Sequence, residues 1–343
     1  MSSARTNDKK FTDAASLYAL GLQVLTSNGV SDKLAAIVTD VLLEADRRGV
    51  ASHGFTRLTG YVERVRRGLL DANAEPEIVK DGETIILMDG RNGFGAVAGV
   101  QATQLAATRA AKYGMCWVTV RNSNHFGIAG YYAHMLAKRG LAGIVFCNAS
   151  PAVAAYGGKR ATLGTNPIAI AVPTGDEPIM LDMATTTVAR GKIRRAKAEG
   201  RPIPLGLALD IDGSPTTDAD AALKGTLASL GGYKGYCLAV MIELLSGVVS
   251  GGRYLTEVRQ VTDLSGTAGP CFTIIAADIG RLIGLDEYAR RIDRFRSVLR
   301  RSGDEDAEIY LPGEIENRRA HEADKNGISL PADVIEAIEA LSS

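Results

Sequence analysis

Between residues 98 and 147 the hydrophobic period of the chain changes with each successive segment, and this alternation constrains the fold more than any other feature. Segment 98–113 reads as helix, 116–120 as strand, 127–139 as helix and 141–147 as strand. Helix and strand in turn is the rhythm of an α/β layer, because each strand needs a helix to cover its apolar face. The first seventy residues carry only the helical period. Ser31 is a suitable N-cap, and Leu34, Ile37, Val38, Val41, Leu42 and Ala45 recur at three- and four-residue steps before Gly49 stops the pattern. Ser52 can cap a third helix reaching about Arg67. A hairpin is expected from 78–79 and 84–88 around Asp81-Gly82. Beyond Thr162 the texture becomes short strands (168–172 and 179–182), and then a long turn-rich segment, 201–232. Segment 236–249 is apolar almost all round and reads as a buried helix or a subunit interface. A strand at 272–277 and a short one at 309–311 complete the expected elements.

Composition narrows the function classes. Lys plus Arg and Asp plus Glu balance at 39 each, which gives no support to a nucleic-acid-tracking surface. An apolar fraction of 46% with 23% charged residues excludes disordered and collagen-like chains. The longest apolar run, 237–249, is interrupted by Glu243 and Ser246 and is shorter than the ~20 residues a bilayer crossing needs. The polar start, Met1 to Lys10, has no apolar core of a secretory leader. Cys116, Cys147, Cys237 and Cys271 are widely spaced and read as buried hydrophobes in a reducing, cytoplasmic setting. Neither CxxC nor HExxH occurs, so no protein-built metal site is expected.

Five stretches could carry chemistry. Gly93-Phe-Gly95-Ala-Val-Ala98 follows a strand and opens a helix, as a dinucleotide fingerprint does. Helices precede it, however, the Asp-Gly hairpin makes the preceding strand antiparallel, and no further βαβ repeat follows residue 150. In Ser52-His53-Gly54-Phe55-Thr56-Arg57, helical spacing puts His53 and Arg57 on one face. Imidazole beside guanidinium is a poor structural pair unless an anion lies between them. Arg57 could then grip a carboxylate while His53 exchanges a proton with it. The bland alternative is a capping serine followed by two solvent-facing cations. Arg121-Asn-Ser-Asn-His125-Phe-Gly127 joins a strand to a helix and offers either anion-binding backbone N–H groups or plain turn chemistry. Gly164-Thr165-Asn166-Pro167 with Asp182-Met-Ala-Thr-Thr-Thr187 and Gly191-Lys192, and then Gly231-Gly-Tyr-Lys-Gly235, each suit close approach of a ligand. Taken singly, each reads more readily as a turn than as a site.

These motifs, with Pro215-Thr-Thr-Asp218 and Pro312-Gly-Glu314, occur in an order that closely resembles the malate/L-lactate dehydrogenase type 2 family. That family also holds ureidoglycolate, sulfolactate and diketogulonate oxidoreductases and piperideine-2-carboxylate reductases. The resemblance runs from about Ser31 to the C-terminus. It implies an α/β fold whose NAD(P)-binding domain is not of Rossmann type and has a mixed or antiparallel sheet. A helical domain would be built from the N- and C-terminal segments, dividing the chain as 1–120 with 265–343 against 121–264. It further implies a homodimer, NAD or NADP as cofactor, and hydride transfer at C2 of a 2-hydroxy or 2-oxo acid. By the same resemblance His53 is the proton donor and acceptor, Ser52 orients it, and Arg57 with Thr165 holds the substrate. His125, Phe126, Gly127, Ile128, Ala129, Asp182, Met183, Ala184, Thr185, Tyr233, Lys234, Pro312, Gly313 and Glu314 would line the cofactor, with His125 a rival for the acid–base role. Lys192 replaces the acid that the imine reductases carry there. A cation at that position disfavours an iminium substrate and favours a developing alkoxide or a second carboxylate, as in malate.

Overall fold

The computed structural model describes residues 9–304 and 306–342; the polar start up to residue 8 lies outside them. β1 (Lys9–Thr12) leads into α1 (Ala14–Ser27) and α2 (Asp32–Arg47). Both helices bury a leucine- and valine-rich stripe, Leu17, Val24 and Leu25 from one and Leu34, Val38, Val41 and Leu42 from the other. Ser31 precedes α2 as expected, but its side chain makes no capping bond. Instead its backbone N–H donates to Asn73 Oδ1. The expected single helix from Ser52 is absent. Two 3₁₀ turns, Ala51–His53 and Phe55–Arg57, lead into the shorter α3 (Leu58–Arg66).

The hairpin forms as β2 (Glu77–Asp81) and β3 (Ile85–Asp89), followed by α4 (Gly95–Tyr113), β4 (Met115–Arg121), α5 (Ala129–Ala137) and β5 (Ala142–Cys147). Next come β6 (Val153–Ala154), β7 (Ala161–Leu163), β8 (Ile168–Val172), β9 (Ile179–Met183), α6 (Arg190–Ala198), β10 (Ala208–Leu209), α7 (Ala219–Lys224) and β11 (Thr226–Leu227). α8 (Tyr233–Glu243) continues into a five-residue π turn, Leu244–Val248, and β12 (Phe272–Ala277) follows. The tail holds α9 (Leu285–Arg300), α10 (Glu314–Asn326), β13 (Ile328–Pro331) and α11 (Ala332–Glu339). Residues 309–311 form no strand. Leu311 is buried, and Tyr310 instead accepts from Arg318.

Seven strands form one mixed sheet in the order β2-β3-β4-β12-β5-β8-β9. Only β3 and β4 run parallel, joined through α4, and every other neighbouring pair is antiparallel. The strand before the glycine motif is therefore antiparallel to β2, as the hairpin requires, yet parallel to β4. Strands from both sides of residue 120 share this sheet, and β12 lies at its centre. β6, β7, β10 and β11 make a separate small sheet, and β1 pairs with β13, which joins the two ends of the chain.

Side-chain parity sorts the faces of the large sheet. Val118, Val120, Phe272, Ile274 and Ala276 are buried, and Phe272 stacks on Phe126, which in turn stacks on Tyr132 of α5. On the opposite face Thr119 and Thr273 share a hydrogen bond, and Thr273 donates to the Leu245 carbonyl in the π turn. The face of the α8–π segment turned away from the sheet remains open. Met241, Leu244, Val248 and Val249 are each at least two-fifths exposed. Cys237 is exposed as well, unlike the other three cysteines.

The candidate active site

The site grows from the two 3₁₀ turns. Gly54 separates them, and Thr56 Oγ1 donates back to the Ala51 carbonyl at 2.6 Å. Arg57 Nε donates to the Ser52 carbonyl at 2.5 Å, so the guanidinium folds back towards His53. His53 Nδ1 lies 2.8 Å from Ser52 Oγ, the orienting contact expected of that serine. The imidazole rings of His53 and His125 stack with centroids 5.2 Å apart and planes 28° from parallel. The two histidines that competed for one role thus occupy one place.

Tyr61 completes the cluster, with its hydroxyl 2.7 Å from His125 Nδ1. The Gly127 N–H also donates to that nitrogen, at 3.3 Å. A backbone N–H can only donate, so Nδ1 is the bare nitrogen and the neutral ring carries its proton on Nε2. His125 is therefore a hydrogen-bond donor through Nε2. Sequence reasoning passed over Tyr61, although it continues the four-residue spacing 53, 57, 61.

Burial and charge keep both rings neutral. Burial first, then the neighbouring Arg57, pushes His53 down to about 4. Burial, Arg57 and His53 together push His125 well below the ordinary histidine range. Burial also pushes the Tyr61 phenol up, so it stays protonated. Arg57 is lowered chiefly by burial; the phenol of Tyr61 raises it, and the charge of Arg194 from α6 lowers it. Among the described residues no carboxylate pairs with Arg57. A guanidinium in partial burial without a counter-ion is costly unless a ligand supplies the anion.

The strand-to-helix turn after β4 differs from expectation. Phe126, Ile128 and Ala129 are buried. At the start of α5 the Gly130 N–H donates to Asp182 Oδ2 at 2.9 Å. The protein's own carboxyl group therefore takes the place of the anion imagined at that helix end. Burial raises Asp182 to about 6, against the pull of the Gly130 N–H and Arg48. The glycine motif before α4 is likewise filled from within. A Cβ on Gly95 would stand 2.1 Å from the Asn124 carbonyl oxygen and one on Gly93 2.6 Å from the Ala74 carbonyl oxygen, so both glycines admit the chain's own backbone.

A second group of predicted residues is drawn together by backbone bonds. Thr185 N–H and Oγ1 both donate to the Thr165 carbonyl, Leu230 N–H to Thr185, and Gly235 N–H to Leu230. Tyr233 and Lys234, at the exposed start of α8, thereby sit beside the Thr165 and Met183–Thr185 turns. Gly231 and Gly232 have φ of +60° and +65°, and the space beside them is open, with nothing within 4 Å of a Cβ on Gly232. Pro312, Gly313 and Glu314 lie at the other end of β9, where the Met180 N–H donates to the Pro312 carbonyl at 2.9 Å. Lys192 is exposed on α6 and makes no ion pair among the described residues.

Residues 12–339 match the family model described as malate/L-lactate dehydrogenase. Malate/(S)-sulfolactate dehydrogenase of Methanothermus fervidus is 36% identical over 324 residues, 94% of this chain and 95% of the relative. The (2R)-3-sulfolactate dehydrogenase (NADP(+)) of Chromohalobacter salexigens is 35% identical over 94% of this chain and 95% of its own length. Among solved structures, sulfolactate dehydrogenase from Methanocaldococcus jannaschii superposes with a TM-score of 0.92 at 35% identity, covering 97% of this chain and 96% of that one.

Proposed function

Because the chain belongs to the malate/L-lactate dehydrogenase family, we propose that Arg57 and His53 receive a 2-oxo or 2-hydroxy acid whose C2 exchanges a hydride with NAD or NADP. The observation that carries this reading is Arg57. Its half-buried guanidinium faces two neutral histidines and has no acidic partner among the described residues. A substrate carboxylate satisfies it, and the bidentate geometry orients the adjacent C2 oxygen. His53, held by Ser52 Oγ, gives that oxygen a proton in reduction and takes one from the hydroxyl in oxidation. His125 offers its Nε2–H as a fixed donor to the developing alkoxide. Lys192 and Arg194 on α6, without an ion-pair partner among the described residues, favour a substrate with a second acidic group.

The nicotinamide, when bound, supplies or accepts the hydride at its C4. The residues at hand suit such a group. The open Gly231-Gly232 step at the start of the eleven-residue α8, with Lys234 exposed beside it, is a cradle for a diphosphate. On the family resemblance we assign Asp182 to Thr185, Thr165, Tyr233, the 125–129 stretch and the Pro312–Glu314 turn to the same cofactor. The exposed Met241, Leu244, Val248 and Val249 stripe supports pairing of two copies as a homodimer. Among the described residues no helix is long and apolar enough to cross a membrane.

The test is a panel of 2-oxo acids, with and without a second acidic group, assayed by NADH and NADPH consumption. Acidic 2-oxo acids are turned over. His53→Ala lowers kcat by about 10²–10⁴, the typical worth of a positioned acid–base group, and His125→Ala lowers it less. Silence across the whole panel, or an unimpaired His53→Ala, refutes the reading.

A further inference from the structure

The turn that carries His53 and Arg57 rests on a buried carboxyl group with no part in the scheme above. Asp46, in the last turn of α2, is 7% exposed. Its Oδ2 accepts the Phe55 N–H at 2.7 Å, the first N–H of the second 3₁₀ turn. Its Oδ1 is buried without any hydrogen-bond partner. Gly54 lies directly on the carboxyl group, and a Cβ there would stand 2.1 Å from Oδ2 and 2.2 Å from both Cγ and Oδ1. No charged side chain among the described residues perturbs Asp46; burial and the Phe55 N–H alone set its state. It is therefore not half of an ion pair.

A buried carboxyl group satisfied on one oxygen only is a costly way to end a helix. The arrangement makes sense if the grip on Phe55 matters to what the turn displays. His53 precedes the gripped step and Arg57 follows it, so the Gly54–Phe55 backbone sets their separation. The lack of a side chain at Gly54 is what lets the carboxyl group reach that backbone.

We propose that Asp46 is a positioning residue of this enzyme: its carboxyl group clamps the Gly54–Phe55 step and so fixes the imidazole of His53 relative to the guanidinium of Arg57. The inference rests on the roles given above to His53 and Arg57. Displacement of a catalytic group by about 1 Å costs on the order of a hundredfold in rate, which sets the scale of the effect.

The experiment compares full-length Asp46→Ala and Asp46→Asn with wild type. It reads kcat and KM for the best 2-oxo acid of the panel, melting temperature, reduced-cofactor binding by fluorescence, and the isotope effect with cofactor deuterated at C4. Asp46→Ala is expected to lose ten- to a hundredfold in kcat, melt cooperatively, bind the reduced cofactor as wild type does, and show a larger isotope effect. Asp46→Asn keeps an acceptor oxygen for Phe55 and is expected to hold kcat within about threefold. Should Asp46→Ala fail to fold, Asp46→Ser is read in its place, since its hydroxyl is one bond too short to reach the Phe55 N–H. A folded Asp46→Ala (or Ser) with kcat within threefold of wild type overturns the inference, as does Asp46→Asn falling as far as Asp46→Ala. His53→Ala in the same series separates the two failures. If it is inactive while Asp46→Ala is active, only the positioning role is lost; if it is fully active, the functional reading itself falls.

Discussion

If His53 is the acid–base group proposed above, it must be neutral when substrate arrives in the oxidation direction, because it would accept the hydroxyl proton. An unperturbed histidine, near 6.5, would be about nine-tenths protonated at pH 5.5 and would cost about tenfold in kcat/KM. Burial and Arg57 hold His53 at about 4, and at pH 5.5 that leaves only about 3% of molecules protonated. The expected profile of kcat/KM for hydroxy-acid oxidation is therefore flat from pH 8 to about pH 5, and it falls tenfold per unit only below about 4. The assay is initial-rate formation of reduced cofactor at saturating oxidised cofactor and constant ionic strength. Enzyme is held at neutral pH and diluted into each buffer, so that slow acid inactivation does not mimic a titration. Arg57→Gln provides the internal control. Removing the like charge moves the acid limb upward, yet the limb stays below 6.5 because burial is the larger cause. A wild-type acid limb centred between 6 and 7 would refute the reasoning, since the base would then be a histidine in an ordinary, solvated setting.

Two further outcomes follow from the same structure. Burial raises Asp46 from 3.8 to about 7, so the folded state holds a proton that the unfolded state gives up between those values. Wild-type stability is then lost as pH rises through that window, by up to about 4 kcal/mol at 1.36 kcal/mol per pKa unit. Asp46→Asn cannot ionise, so denaturant unfolding should show it gaining on wild type between pH 4 and pH 8. A stability difference constant across that range would mean Asp46 titrates normally. The exposed stripe of α8 and its π turn predicts that Leu244→Asp with Val248→Asp yields a monomer by light scattering, where wild type is a dimer at micromolar concentration. A monomeric wild type, or a variant that remains dimeric, removes the stripe as the interface.

The sequence displayed the site more clearly than the sheet. His53 and Arg57 are legible as a pair because their chemistry is unusual at close spacing, the family resemblance adds Ser52, and the structure brings the three together. The geometry behind that expectation was different, however. Helical i,i+4 spacing suggested one face of one helix, whereas two 3₁₀ turns and the Arg57–Ser52 backbone bond place the groups. Tyr61 escaped notice because a tyrosine on the apolar stripe of a helix reads as core, and at 3% exposure it is core as well. Asp182 was legible as a strand-end acid, but its partner, the Gly130 N–H, lies 52 residues away and leaves no local mark. Segment 272–277 was readable as a strand, yet its insertion between β4 and β5 depends on antiparallel pairings more than a hundred residues apart, which no local pattern encodes. The opposite failure occurs at 309–311, where three residues with strand-like texture have no sheet edge to join.

The electrostatics of the cluster give these residues a common logic. The site contains one permanent cation and two imidazoles; burial first, and the cation second, suppress the protonation of both rings. Left alone, such a site is a poor acid, because the group meant to donate a proton does not hold one at neutral pH. A substrate carboxylate on Arg57 offsets the cation, the smaller of the two causes, and adds an anion close to His53; both changes favour the imidazolium. On the roles proposed above, the substrate's own charge helps to protonate His53 for reduction, and water that enters without an anion meets a neutral ring. On the same reading, the absence of an acidic partner for Arg57 among the described residues has a purpose. A protein carboxylate near Arg57 would satisfy the guanidinium permanently and raise His53 whether or not substrate were present. Rejecting an uncharged carbonyl compound would then depend on shape alone, whereas the unpaired Arg57 makes both binding and proton supply depend on the substrate's charge.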